Sequence, residues 1–434
     1  MKNLSAFQLI LLIVFGALGI IGVLIFALAV GESGEGSIGE VEIWGTLDGE
    51  VFSEVIARAG DADPNLKGVT YAEKDPVTYE SELTNALAVG RGPDIFILRQ
   101  DYVMQNAGKV IPFPFSSLTS AQFQSAYADA GSPYLTSVGV LALPILADPL
   151  VLYWNRDILS AGGVAKPPSF WDEVLSIAQN AKINVHNVSG GVVKSAVALG
   201  EYSNVDNAKD ILSALILQSG GDITKNDGAG NLAPSLVPQS GAGGRGAESA
   251  LRFFTQFADP SKDYYSWNRG LQSSRQGFSA GDLALYIGFA SEEPIIRSMN
   301  PNLSFSAAPM PQVREGGRTV NTARVYALAV SRAAKNPAGA GIAASLLSSP
   351  EISKNLSAAL GMSSALRDVL AAPAEGNVLL ANREVLIARS WIDPDPIKTS
   401  GIFRGMIERV SSGRMQVADS VQRANDELGR ILEQ

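Results

Sequence analysis

The chain contains no cysteine and a single histidine, His186. The first absence removes disulfides, thiolate zinc sites and cysteine nucleophiles together. The second removes multi-histidine metal centres and leaves His186 as the only histidine a Ser-His-Asp triad could use. No run of Lys and Arg occurs, and 34 basic residues stand against 43 acidic ones. A duplex is held by clustered cations that displace counterions, so nucleic acid is not an expected partner. The glycine cluster at Gly241 lacks the Gly-Lys-[Ser/Thr] ending of a phosphate loop. Nothing in the sequence asks for a metal or an organic cofactor.

What is present begins at the front. From residue 7 to residue 30 the only polar side chain is Gln8. At about 1.5 Å per residue this run reaches roughly 36 Å, enough to cross a bilayer's hydrocarbon layer. Lys2 precedes it, and Glu32, Glu35 and Glu40 follow it. The positive-inside bias then puts the amino terminus in the cytoplasm and the rest outside. Residues 1–30 are therefore expected to form a membrane anchor. Ala27-Leu28-Ala29 offers the alternative of a signal-peptide cleavage site, although the apolar run exceeds the usual core of about 7–15 residues. Residues 31–40 (GESGEGSIGE) are rich in Gly, Ser and Glu, the composition of a flexible tether.

A chain of 434 residues is too long for one core, which favours two lobes. Residues 41–44 alternate as a strand, 45–49 form a turn and 51–59 have helical apolar spacing. A strand at 68–71, a helix at 79–89, a turn at 90–93 and a strand at 94–98 follow. This β-α-β-α-β rhythm predicts a parallel sheet covered by helices. A second α/β region starts at the apolar strand 150–154 and carries helices at 171–181 and 208–219. Residues 228–246 are a loop-rich excursion, and an amphipathic pair, 402–411 and 415–432, ends the chain. Ser169 before Trp171-Asp172-Glu173 has the chemistry of a helix N-cap, which makes Trp171 a core residue. Tyr153 and Trp154 are expected to pack, and His186 to lie in a surface loop.

Several segments together resemble the family 1 extracellular solute-binding proteins, whose best-known members bind maltose and other sugars. These are Gly92-Pro93-Asp94-Ile95-Phe96, the stretch from Leu143-Pro144 to Arg156-Asp157, Pro167-Pro168-Ser169-Phe170-Trp171-Asp172-Glu173, the stretch Phe278 to Gly288, and Ala307-Ala308-Pro309-Met310-Pro311. Their order and spacing extend over nearly all of residues 41–434. Leu285 stands where the family motif carries Met, and the lipidated cysteine of many relatives is absent, so the apolar run would take over anchoring.

The resemblance implies an α/β, two-lobed periplasmic-binding-protein-like fold with a hinge of two or three crossing segments. The first lobe would be 41–147 with 308–360, and the second 148–307 with 361–434. It further implies a monomeric ligand trap, not an enzyme, on the outer side of the membrane. The trap would capture a carbohydrate by hinge closure and deliver it to an ABC permease. Site positions carry over residue by residue. Thr46, Asp48, Asp101, Tyr102 and Asp148 are the expected first-lobe and crossing contacts, and Glu201, Tyr202, Phe289, Ser291, Glu292 and Trp391 the second-lobe ones. Acids and aromatics of this kind suit a neutral polyhydroxyl compound, the acids bonding hydroxyls and the rings covering a pyranose face. The rival readings are an exported glycoside hydrolase using two acids such as Asp148 and Glu292, and a tethered scaffold.

Overall fold

A computed structural model describes residues 38–227, 231–237, 245–315 and 317–433. The expected anchor and most of the tether lie outside these residues. Among the described residues no helix is long and apolar enough to cross a membrane.

The main sheet has ten strands: β1 Val41–Gly45, β2 Val69–Glu73, β3 Ile95–Arg99, β4 Leu143–Asn155, β5 Val185–His186, β6 Val192–Val197, β7 Leu283–Phe289, β8 Phe305–Ala308, β9 Ala323–Val330 and β10 Ser363–Ser364. Its order is β2-β1-β3-β9-β4-β7-β6-β5, with β8 and β10 also pairing with β4. The helices that matter below are α1 Gly49–Ala62, α2 Tyr79–Ala88, α3 Ala208–Gln218, α4 Gly376–Leu386, α5 Pro396–Ser411 and α6 Val417–Leu432.

Local chemistry accounts for these elements. Val41 and Ile43 on β1 point inward while Glu42 and Trp44 are partly exposed, a period of two. Strand β3 is buried on both faces and is almost continuously apolar, as a central strand flanked by helices must be. Helix α1 starts where the Asp48 carboxylate accepts the Val51 amide, and it buries Phe52, Val55 and Ile56. The expected Ser169 cap does not form. The Glu173 carboxylate instead reaches back to accept the amides of Ser169 and Phe170, satisfying both orphan donors from inside the first turn. Trp171 and Tyr153 are buried as expected, and Trp154 is half-buried. His186 lies on β5 rather than in a loop, with Nε2 2.9 Å from the Tyr265 carbonyl.

Strand β4 carries the architecture. At about 3.3 Å per residue its length is roughly 40 Å. Its first half pairs with β9 and β10, and its second half with β7 and β8. Side chains up to Ala147 enter one hydrophobic core, and those from Leu150 enter another. Asp148 and Pro149 are the junction. The first core gathers residues from 41–147 and 323–388, the second from 150–310 and 402–428.

The return crossings thus fall later than the sequence suggested. Met310 still packs in the second core, and Ala365, Leu366, Leu370, Val385 and Ala388 pack in the first. The cause is β10, which pairs Ser363 and Ser364 with Ala147 and Leu146 and holds the following helices against the first-core half of β4. These edge pairings involve two-residue segments, too short for a periodic signal.

All three crossings meet at Asn321, which is fully buried. Its Nδ2 donates to the Leu150 carbonyl on β4 at 2.7 Å and to Glu384 Oε2 on α4 at 2.7 Å. Its amide donates to the Ile387 carbonyl, its carbonyl accepts from Arg389, and its Oδ1 accepts the Thr322 amide. Asn321→Ala removes the side-chain donors to the Leu150 carbonyl and to Glu384 Oε2 in the interior, leaving Glu384 only its bond from the Met310 backbone. A loss of about 3 kcal/mol is expected, measured by equilibrium denaturant unfolding; a change below about 1 kcal/mol would show that the crossings do not depend on this amide.

A candidate ligand-binding cleft

A cleft of about 460 Å³ opens between the two cores, within the usual size range of small-molecule sites. From the first core it is lined by Arg99, Gln100, Asp101 and Tyr102, which follow the end of β3. From the second it is lined by Tyr202, by the first turn of α3, and by residues from Ser390 to Ser400 that lead into α5. Thr322 and Arg324 form part of its floor at a crossing.

Each wall is fixed by its backbone. Gln100 Oε1 accepts the Val325 amide at 2.7 Å, which clamps the turn after β3 onto β9. Gly200 has φ +101°, and a Cβ there would come within 2.7 Å of the Ala258 amide nitrogen. Only glycine lets the chain leave its strand at this angle and aim Tyr202 at the cleft. Asn207 adopts a left-handed conformation (φ 61°), alone among the described non-glycine residues, and α3 starts directly after it. Its amide donates to Glu292 Oε1 at 2.8 Å, and its Oδ1 accepts from Arg324.

The cleft holds three cations and three carboxylates, paired with one another. Arg99 grips Asp101 through two nitrogens, each at 2.6 Å. Lys209 Nζ lies 2.5 Å from Asp393 Oδ2 and 2.7 Å from Thr399 Oγ1. Arg324 reaches Asp210 at 3.0 Å, with its guanidinium 3.9 Å from the centre of the Phe289 ring. Burial pushes the Asp101 carboxyl up, but the charge and bonds of Arg99, with Lys209 and Arg324 behind, hold it below the ordinary value. Trp391 is half-buried, stacked on Phe403 at 6.1 Å, with Lys209 5.3 Å from its ring centre.

Of the residues expected from the sequence, Asp101, Tyr102, Tyr202 and Trp391 line the cleft. The others are placed as follows. Thr46 is half-buried after β1, Asp48 is the exposed cap of α1, and neither is among the lining residues. Glu201 is buried in an ion pair with Arg269 at 3.1 Å. Asp148 is buried behind the floor and accepts from the Ser291 amide at 3.0 Å and hydroxyl at 2.5 Å. Phe289 is buried beneath Arg324. Glu292 is buried among Arg275, Tyr286, Asn207 and the Phe289 amide. The carboxylate pair considered for a hydrolase, Asp148 and Glu292, is thus turned into the protein. Gly277-Phe278-Ser279-Ala280-Gly281 has G-x-S-x-G spacing, but Ser279 is buried on a helix with its hydroxyl 3.6 Å from the Met299 sulfur. A nucleophile elbow instead presents its serine on a strand-to-helix turn.

The lining residues the sequence did not flag include the charged and amide side chains of Arg99, Asn207, Lys209, Asp210, Arg324 and Asp393. A signal existed for Arg324: with Tyr326 it interrupts an otherwise apolar strand at every second position. None existed for Asn207, whose backbone angle is set by its tertiary partners.

Two α/β cores joined by three crossings, with a polar and aromatic cleft between them, define a two-lobed ligand-binding protein of the α/β class. A model of the bacterial extracellular solute-binding proteins matches residues 44–352, and the chain belongs to that family. Solved structures agree on the fold. The cyclic alpha-maltosyl-1,6-maltose binding protein of Arthrobacter globiformis superposes with a TM-score of 0.74 at 17% identity, covering 91% of this chain and 99% of that one. The sugar-binding protein MalE of Xanthomonas citri gives 0.72 at 17% identity, covering 91% and 97%. An ABC substrate-binding protein of Listeria monocytogenes in complex with cycloalternan gives 0.70 at 14% identity, covering 92% and 100%. Among curated sequences, a Brucella abortus (strain 2308) chain described only as a binding protein is 23% identical over 141 residues. That match spans 30% of this chain and about a third (34%) of the relative.

Three carboxyls at or near the crossings are displaced upward. Burial lifts Asp148 to about 7 against the Ser291 bonds and the charge of Arg324, and lifts Glu384 to about 7 against the Asn321 bond. It lifts Asp393 to about 6 against Lys209. A carboxyl raised in the folded state stabilises the fold fully below its unfolded value near 4 and loses that contribution as pH rises through the folded value. Thermal stability is therefore expected to fall between about pH 4 and pH 7. Asp148→Asn and Glu384→Gln should flatten the curve, measured as melting temperature against pH. A curve that rises over this interval, or variants that leave it unchanged, would remove these groups as its cause.

Proposed function

We propose that this protein captures a carbohydrate in the cleft by closure of its two lobes and delivers it to a membrane permease. The observation that carries this reading is convergence. Asp101 and Tyr102 come from one core, Tyr202 and Trp391 from the other, and all line one cavity at strand ends. Aromatic rings beside paired ionic groups suit a ligand with apolar faces and polar edges. The named ligands of the structural neighbours, cyclic alpha-maltosyl-1,6-maltose and cycloalternan, support a carbohydrate. We take the lobes to be residues 41–147 with 323–388, and 148–322 with 389–433, following the cores. Residues 7–30 are proposed as the membrane tether, on their unbroken hydrophobicity and the acidic residues after them.

A ligand that touches both lobes stabilises the closed state by its differential affinity for it. Tyr102→Ala and Trp391→Ala, on opposite walls, are each expected to weaken sugar binding about tenfold, since an aromatic contact is worth about 1–1.5 kcal/mol. Calorimetry against a sugar panel measures this, with small-angle scattering to register compaction on saturation. Tight binding without compaction removes the closure step, and turnover of the bound sugar favours a hydrolase.

A further inference from the structure

Each carboxylate of the cleft is paired with one of its own cations, Asp210 through a single oxygen, while two of those cations keep open donors. Both oxygens of Asp101 accept from Arg99. Both oxygens of Asp393 accept from Thr399, one also from Lys209 and the other from the Asp395 amide. The Lys209 ammonium is filled by Asp393, Thr399 and the Pro396 carbonyl. The arginines differ. Arg99 uses Nε and one terminal nitrogen on Asp101, which leaves its other terminal nitrogen without a protein partner among the described residues. Arg324 uses one terminal nitrogen for both Asp210 and Asn207, which leaves Nε and the other terminal nitrogen open among the described residues.

The register sets these open edges near one another. Arg99 on β3 pairs directly with Tyr326 on β9, and Arg324 lies two residues along the same face. Both arginines line the cleft, each about 30% exposed as a side chain (32% and 30%). Each is bridged to its own acid, Arg99 to Asp101 and Arg324 to Asp210. A neutral sugar needs acceptors for its hydroxyl protons, and both oxygens of Asp101 and of Asp393 are already engaged, which leaves Asp210 Oδ1 as the open carboxylate oxygen of the cleft among the described residues. An acceptor-only group meets guanidinium edges in their favoured geometry.

We propose that the captured ligand is an acidic carbohydrate, its carboxylate or phosphate oxygens bound between Arg99 and Arg324. This rests on the reading of the protein as a carbohydrate trap and narrows its substrate class from the neutral polyhydroxyl compound expected from the sequence. The pairing of each cation with an acid keeps the empty cleft electrically balanced, and the open N–H groups supply the selectivity.

The test is calorimetry on the full-length protein, kept in detergent for its apolar amino-terminal run. The probes are digalacturonate and glucose 6-phosphate, each beside its neutral counterpart, digalactose and glucose. One of the two acids is expected to bind at least tenfold more tightly than its counterpart, and which pair shows this separates carboxylate from phosphate. Part of the preference should fade as salt rises. The charge-balanced double variants Arg324→Gln with Asp210→Asn and Arg99→Gln with Asp101→Asn are each expected to abolish the preference, so misfolding of one leaves the other to decide. Equal or tighter binding of the neutral sugars overturns the acidic-ligand inference and leaves the carbohydrate trap standing. Binding of citrate or glutamate in place of every sugar overturns both, a different pattern from the first.

Discussion

Three chain segments pass between the two cores, and Asn321 holds all of them. Its amide satisfies a carbonyl on the first segment and a carboxyl beside the third, while its own backbone exchanges bonds with the third. Every polar group of this side chain is used, which is the condition for burying one without a net penalty. The cleft inherits its geometry from this point. Strand β9 begins two residues after Asn321 and carries Arg324, whose guanidinium joins the crossing to the first turn of α3.

Behind the cleft floor lies a second layer of polar contacts that positions the first. Glu292 binds the Asn207 amide, and Asn207 accepts from Arg324. Asp148 accepts from Ser291 on the turn that follows β7. These acids spend their hydrogen-bonding capacity on the protein, holding Asn207, Ser291 and the turn after β7 in place. The exposed chemistry falls instead to ion pairs whose members come from β3, β9, α3 and the segment before α5.

The fold was largely legible in the sequence, because periodicity is a local property. The alternation in β1, the helical spacing in α1 and α2, and the long terminal helices α5 and α6 all lie close to where the pattern put them. The crossings were legible only in part. Asp148-Pro149 could be located because the strand is continuous, whereas the later crossings depend on a two-residue strand, β10, and on single bonds from Asn321. For the cleft, residues next to strand ends, such as Asp101 and Tyr202, could be found by position. Charged residues one side chain away, such as Arg99 beside Asp101 and Lys209 after Asn207, could not. Whether an acid faces solvent or the interior is set by partners distant in the chain, and Glu292 and Asp148 show how far that can shift a site.

The interleaving of the two cores also bears on how the molecule comes into being. Val385 and Ala388 belong to the first core, and helices α5 and α6 complete the second. Neither core can close around its early strands until late segments of the chain have been made. Contacts of such long sequence separation slow folding, because loop entropy must be lost before burial rewards it. A polypeptide of this topology stays open for much of its synthesis, the state in which a chain can still be threaded through a narrow pore.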